Sequence, residues 1–167
     1  MEHSIPALLI AAIIVVAGTL IAGVTNSSVN NVNESWREME TISEERLGTD
    51  LTVVSTVVGV TGLDITAVVS NEGRTQLSDF EHMDLIVSYD GADLQRHQIW
   101  MPYDENLVQP DNTWKVTSIL PDAHNPGILD TGENLTIFIK LSPAAIASPD
   151  RWLVLSTGTG VAYTVYF

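Results

Sequence analysis

Residues 5–24 read IPALLIAAIIVVAGTLIAGV, and only Thr19 among them carries a polar side chain. A helix of that length is ~30 Å long, about the thickness of a bilayer's hydrocarbon core. The next segment, 25–48, changes character. Its apolar residues fall at Val29, Val32, Trp36, Met39 and Ile42, spacings that place them on one helical stripe. Glu34–Arg37 and Arg37–Glu40 are spaced to pair along its exposed side. Gly48 fits a helix C′ position, with Arg46 in the last turn. The pattern therefore predicts one helix from about Ser4 to Leu47, apolar all round in its first half and striped in its second.

From Leu51 the period becomes two. Candidate strands are 51–60, 63–71, 83–91, 94–101, 113–120, 134–143, 151–157 and 160–167, separated by Gly, Pro, Asn and Asp. Short β-rich segments at this spacing indicate a β-sandwich. Residues 143–150, PAAIASPD, are read as a loop or a single helical turn. The apolar stretch Val165-Tyr166-Phe167 is expected to be paired into a sheet or an interface. The expected fold is α+β: a long N-terminal helix followed by an Ig-like sandwich of seven or eight strands. The expected domains are 1–47, an assembly tail, and 48–167, an outer β-domain.

Charge sharpens this division. The chain of 167 residues carries 21 acidic and 7 basic side chains, a net charge of −14, yet residues 3 to 33 contain no Asp, Glu, Lys or Arg. Such a surface repels phosphate backbones and argues against a nucleic-acid role. Cysteine is absent, which excludes a disulfide framework, a thiol nucleophile and a zinc–thiolate site.

The apolar head admits three readings. A secretory signal peptide needs a basic start, and Met1-Glu2-His3-Ser4 has none. A permanent single-span anchor lacks a flanking Lys or Arg before Arg37 to orient it. The third is the tail of a pilin-like subunit, held in the membrane only before assembly and packed into a filament core afterwards. A missing basic flank is expected if Met1 is the mature start. Small residues favour this third reading. Ala7/Ala11 and Gly18/Ala22 are small pairs at i, i+4, which let helix backbones approach closely. Gly18 and Gly23 each weaken an isolated helix by roughly 1 kcal/mol relative to alanine, and a crowded bundle recovers that in packing. The residues expected to carry assembly are Ile5, Leu8, Leu9, Ala11, Ile13, Ile14, Val15, Gly18, Leu20, Ile21 and Ala22.

No catalytic constellation stands out, and the chain is read as a non-enzyme without a cofactor. His3, His82, His97 and His124 are scattered, and neither a G-x-S-x-G elbow nor a phosphate-binding glycine loop occurs. Hard-oxygen candidates for calcium are Asp104, Glu105 and Asp111 in one loop, or Asp79, Glu81 and Asp84 near a strand start, but neither set has EF-hand spacing. Acids in β-loops are usually just solvated. N-x-[ST] sequons at Asn26, Asn33 and Asn134 are candidate N-glycosylation sites.

Order and spacing of motifs over most of the chain resemble the archaellins, subunits of the archaeal swimming filament. The resemblance rests on the tail 5–24, on N-E-G-R-T-Q-L at 71–77 leading to D-L-I-V-S-Y at 84–89, on P-G-I-L-D-T-G-E at 126–133, and on G-T-G-V-A-Y-T-V-Y-F at 158–167. The N-E-G and D-T-G-E stretches are similar to archaellin-like proteins of certain bacteria. The Gly-Ala-rich mature start common in archaellins is replaced by Met1-Glu2-His3-Ser4, and the Glu at the fifth mature position of bacterial type IV pilins is Ile5 here. The resemblance implies an extracellular helical homopolymer with the tail in its core. It also implies processing by a prepilin-peptidase-like enzyme and partners among the archaellum motor and platform membrane proteins. Two other roles fit the same layout: an adhesive type IV-like pilin, and a membrane-anchored accessory protein at the base of the archaellum. An anchored ligand-binding β-domain is a further rival of a different class.

Overall fold

In the computed structural model, residues 4–106 and 108–167 are described; within the N-terminal helix the described side chains are those of 9, 10, 12–20, 24 and 28–48. The chain divides into two compact units, Met1–Ser43 and Glu44–Phe167.

The first unit is helical, part of α1 (Ser4–Gly48). Its described side chains fall mainly into two shorter stretches, 12–20 and, running on into the second unit, 28–48. This corrects the expected α+β class built on one long N-terminal helix. Among the described residues no helical residue belongs to the hydrophobic core, which the strands and their connections supply. The physical reason is that a helix owes most of its stability to burying a face, and neither stretch buries one. Among the described residues, no helix is long and apolar enough to cross a membrane. The expected pairs Glu34–Arg37 and Arg37–Glu40 are absent from the ion pairs among the described residues.

The second unit is an antiparallel sandwich of eight strands: β1 (Leu51–Val58), β2 (Asp64–Asn71), β3 (Asp84–Asp90), β4 (Arg96–Met101), β5 (Thr113–Leu120), β6 (Asn134–Lys140), β7 (Trp152–Ser156) and β8 (Ala162–Tyr166). One sheet runs β1-β2-β6-β5 and the other β4-β3-β7-β8. Labelled as an immunoglobulin domain, these are A-B-E-D facing C′-C-F-G, so the Ig-like expectation agrees with the strand order. Segment 143–150 holds no helix.

The strands form because alternate residues have somewhere to go. On β2 the inward set is Ile65, Ala67 and Val69; on β6 it is Leu135, Ile137 and Ile139, all fully buried. Opposite them stand Leu85, Val87 and Tyr89 of β3 and Leu153 and Leu155 of β7. Period-two alternation delivers one apolar row per strand to the space between sheets. Trp114 and Met101 complete this core, and Leu129 enters it from the connection before β6.

Candidate functional site

Two regions of the molecule gather the residues singled out in the sequence: the apolar helical stretch, and the end of the sandwich where the loops 71–83, 103–106 and 121–133 meet.

On the helix, Leu9, Ile13, Ile14, Val15 and Leu20 are all exposed, Ile13 at 63% and Leu20 at 65%. Leu9, Ala12, Ile13, Val16, Ala17 and Leu20 line a shallow groove that is almost wholly apolar. Open space surrounds Gly18, so a side chain built there meets nothing in the single chain. Ile5, Leu8, Ala11, Ile21 and Ala22, also expected to carry assembly, lie outside the described side chains. Val29, Val32, Trp36, Met39 and Ile42, the stripe of the second half, are exposed as well. A helix that presents large apolar side chains all round is stable in water only when something surrounds them.

Two of the stretches that carry the archaellin resemblance prove to be one structural device. Asn71, fully buried, donates from Nδ2 to Thr75 O at 2.9 Å and to Leu129 O at 3.1 Å, and accepts from Gly73 N–H at 3.1 Å. Its backbone N–H donates to Glu133 O, and its carbonyl accepts from Gly132 N–H. Leu77 and Leu129 form an isolated bridge, and Thr131 Oγ1 donates to Gly73 O. The buried carboxylate of Asp130 accepts from Gln76 Nε2 and from the backbone and side-chain amides of Asn125. That of Glu133 accepts from the backbone of Ala123 and Asp130. Asp130 and Glu133 are thus buried acids whose oxygens are occupied by N–H donors, as burial requires.

The same corner grips the end of α1. Arg74 and Thr75 N–H donate to Gly48 O, Glu72 and Gly73 N–H donate to Asp50 O, and Thr75 Oγ1 donates to Glu45 O. Arg46 Nε donates to Thr159 O in the β7–β8 turn. The last helical carbonyls are therefore satisfied by Thr49, which donates from N–H to Arg46 O and from Oγ1 to Glu45 O, and by Arg74 and Thr75, not by a left-handed C′ glycine. Gly48 is the last helical residue and is absent from the positive-φ glycines, which corrects the expected cap. Its small size has another reason: a Cβ there would lie 2.5 Å from Thr75 Oγ1.

The loops also bring together acids that are distant in sequence. Ser78, Asp79, Phe80, Glu81, Tyr103, Asp104, Glu105 and Asn106 line a cleft of about 520 Å³. It combines two of the three residues of each calcium candidate set, Asp79 and Glu81 with Asp104 and Glu105. Asp84 instead accepts from Trp100 Nε1, and Asp111 pairs with Lys140. Among the described residues no group of three or more His, Asp or Glu converges as a metal site. Tyr103 donates to Glu105 at 2.7 Å; burial first, then this hydrogen bond, pushes its phenol well above the ordinary range. His82 lies 2.7 Å from Asp79, whose hydrogen bond raises its pKa above 6.5. Asp93 is held below the usual carboxylate range, chiefly by its hydrogen bond to His97. The His82–Asp79 pair is exposed and His97 is partly buried, and among the described residues no hydroxyl bonds to either histidine.

Of the sequons, Asn33 is exposed on the helix. Asn134 opens β6 with partial burial, paired with Ser70 on one side and Leu120 on the other. The side chain of Asn26 lies outside the described set.

No protein-family model matches the chain, and no curated protein matches it in sequence. Among solved structures it is similar to the archaellum periplasmic stator protein FlaG from Sulfolobus acidocaldarius, at 20% identity and a TM-score of 0.50, covering 71% of this chain and 99% of that one. It also matches the stator complex of FlaF and FlaG from the same organism (19% identity, TM-score 0.49, 70% of this chain and 87% of that). A third match is archaeal flagellin FlaB1 from Methanocaldococcus jannaschii (11% identity, TM-score 0.48, 71% and 88%). At these identities the likeness is one of fold. It does not single out archaellins, and these three archaeal proteins lend no support to the expected bacterial variant.

Proposed function

We propose that this chain is a structural, cell-surface component of an archaellum, which assembles with copies of itself by enclosing its apolar helical stretch. The observation that carries this reading is the exposure of Leu9, Ile13, Ile14, Val15 and Leu20 on a helix with no core of its own. Burying one such side chain contributes roughly 1.5–3 kcal/mol, which a bilayer or sister helices can supply equally. Close packing around Gly18 and the neighbouring alanines then favours the helical bundle over lipid. The fold shared with an archaellum stator protein supports the association with that machine. In its finer form the reading is a subunit of the extracellular motility filament, trimmed by a prepilin-peptidase-like enzyme, mounted on the motor and platform proteins, and doing no chemistry.

A second reading, a periplasmic accessory protein at the base of the archaellum, is favoured by one observation: the match to FlaG spans 99% of that chain. Abundance separates the two. A filament subunit dominates the protein of sheared cell-surface filaments by peptide mass spectrometry, whereas an accessory protein stays with the envelope. Gly18→Leu tests the shared premise of helix-driven assembly. Since nothing lies within 4 Å of an added Cβ in the single chain, the variant folds normally and fails to assemble. Normal polymers from Gly18→Leu, or a chain found lipid-embedded and monomeric, would refute the proposal.

A further inference from the structure

Two open four-stranded sheets leave four edge strands: β1 and β5 in one, β4 and β8 in the other. An unpaired edge is a template for another strand, and proteins commonly blunt it with bulges, charges or a covering segment. Three edges are blunted here. The register of β1 slips between Val53 and Ser55. That of β5 slips between Val116 and Ser118, the strand carries Lys115, and residues 102–104 bond alongside it through Trp114 N–H to Pro102 O and Asp104 N–H to Trp114 O. The edge β4 carries Arg96 and His97.

Among the described residues the fourth edge has neither bulge nor charge, and no segment bonds along its backbone; Thr49, ahead of β1, meets it only through the Tyr163 hydroxyl, which donates to Thr49 O at 3.1 Å. β8, AYTVY, pairs with β7 in unbroken register from Trp152↔Tyr166 to Ser156↔Ala162. Residues 152–167 contain no Asp, Glu, Lys or Arg in a chain of net charge −14. The hydrogen-bond phase identifies the open groups. Phe167 N–H donates to Arg151 O, and Thr157 N–H donates to Val161 O. Bonded pairs alternate along an antiparallel ladder. Residues 163 and 165 therefore turn their N–H and C=O toward β7, while Ala162, Thr164 and Tyr166 turn theirs away. Among the described residues no other strand pairs with β8.

We infer that β8 is a strand-addition edge whose occupant is β8 of a second copy, antiparallel, with Thr164 opposite Thr164. The strand is its own complement in this register. Ala162 faces Tyr166, a small residue beside a large one, and Tyr163 faces Val165, an aromatic beside a β-branched residue; such pairs stabilise sheets. The pairs 162/166, 164/164 and 166/162 each exchange two backbone hydrogen bonds using the groups that point away from β7. Charge selects the occupant further. Two bodies of net charge −14 meet most readily where neither presents an acid; β4 and β8 both carry none and pair without a break, but two copies of β4 would bring Arg96 and His97 together, whereas β8 carries no charged group of either sign. Tyr166, 72% exposed, lies opposite Ala162 of the second copy, so the two tyrosines cap opposite ends of the seam. This inference does not depend on the helix-driven assembly proposed above.

The chain has no cysteine, so Thr164→Cys introduces a single thiol. Opposed residues of a bonded antiparallel pair have Cα atoms ~5.5 Å apart, within the span of a disulfide. Mild oxidation of the full-length Thr164→Cys chain in non-ionic detergent is expected to give covalent dimers. Thr117→Cys, exposed on the bulged β5 edge, is expected to stay monomeric. Adding Ala162→Pro to Thr164→Cys removes an N–H that does not serve β7, a place an edge strand tolerates proline, and should cut dimer yield about tenfold with unchanged circular dichroism. If the proline chain unfolds, Ala162→Glu, which places an acid on the seam, should give the same reduction. A Val32→Cys chain reports helix association separately. Cross-linking at 32 but not at 164 overturns the edge inference and leaves the helix proposal standing; cross-linking at 164 that survives both changes at Ala162, or equal cross-linking at Thr117, also overturns it.

Discussion

Asn71 and Gly73 illustrate how much one turn can carry. Asn71 makes two side-chain donations and one acceptance in a fully buried place, tying β2 to the segment before β6. Asn71→Ala removes the side-chain donor to Thr75 O, one of the two donors to Leu129 O and the acceptor of Gly73 N–H, and a loss of about 2–3 kcal/mol in urea unfolding is expected. Gly73 is required for a different reason. A Cβ there would lie 2.3 Å from Gly48 O and 2.5 Å from Asp50 N, both backbone atoms that cannot swing aside. Gly73→Ala should cost roughly 2 kcal/mol by overpacking, and it should loosen the end of α1, read as faster amide exchange at Arg74 and Thr75. His82 offers a residue-scale titration. Its pKa is raised by Asp79, so the contribution of the pair is complete below pH 6.5 and is lost as pH rises through the folded value. An NMR titration should place His82 above 6.5, and Asp79→Asn should return it toward 6.5; an unmoved midpoint would mean the pair does not form in solution.

At the scale of elements, the strands were the most legible part of the sequence. Alternation in 63–71 and 134–143 anticipates β2 and β6 to within a few residues, because both strands bury alternate positions against a facing sheet. Turn residues such as Thr157-Gly158 mark the β7–β8 hairpin for the same local reason. The helix was less legible. Its apolar character is plain, but composition cannot say whether a helix joins the core, since that depends on what faces it. The C′ position expected for Gly48 is corrected because the sequence does not reveal that Arg74 and Thr75, distant in the chain, join Thr49 in supplying donors to the last helical carbonyls. Gly18→Leu belongs to this scale. Static light scattering should report monomers or small oligomers where the parent chain polymerises, with unaltered far-ultraviolet circular dichroism from the β unit.

For the whole molecule, charge governs association. Repulsion between acidic bodies is screened over a Debye length of ~10 Å at 0.1 M salt. Turbidity of assembled material should therefore rise with added salt and near the sequence pI of about 4.3, and an assembly indifferent to both would show that body charge is not what keeps copies apart. Acid adds a second effect of opposite sense on folding. Asp90 is held low by its hydrogen bonds with Ser148 and Arg96, and Asp93 by that with His97, so their contributions are present above pH 3.8 and fade as pH falls through the folded values. The acidic cleft between 79–81 and 103–106 exists only at this scale, since no element contains both halves.

The sequence alone determined which segments are apolar, where the period changes from helical to extended, and that residues 3–33 are free of charge while the rest is acidic. These are local properties, set by the residues themselves and their near neighbours. The tertiary structure decided which strands are neighbours, which edge stays open, and that Asn71 meets Leu129, a hydrogen bond across 58 positions. Such pairings follow from how buried faces and backbone donors are shared between distant segments, and that sharing is settled only when the sheets close on one another.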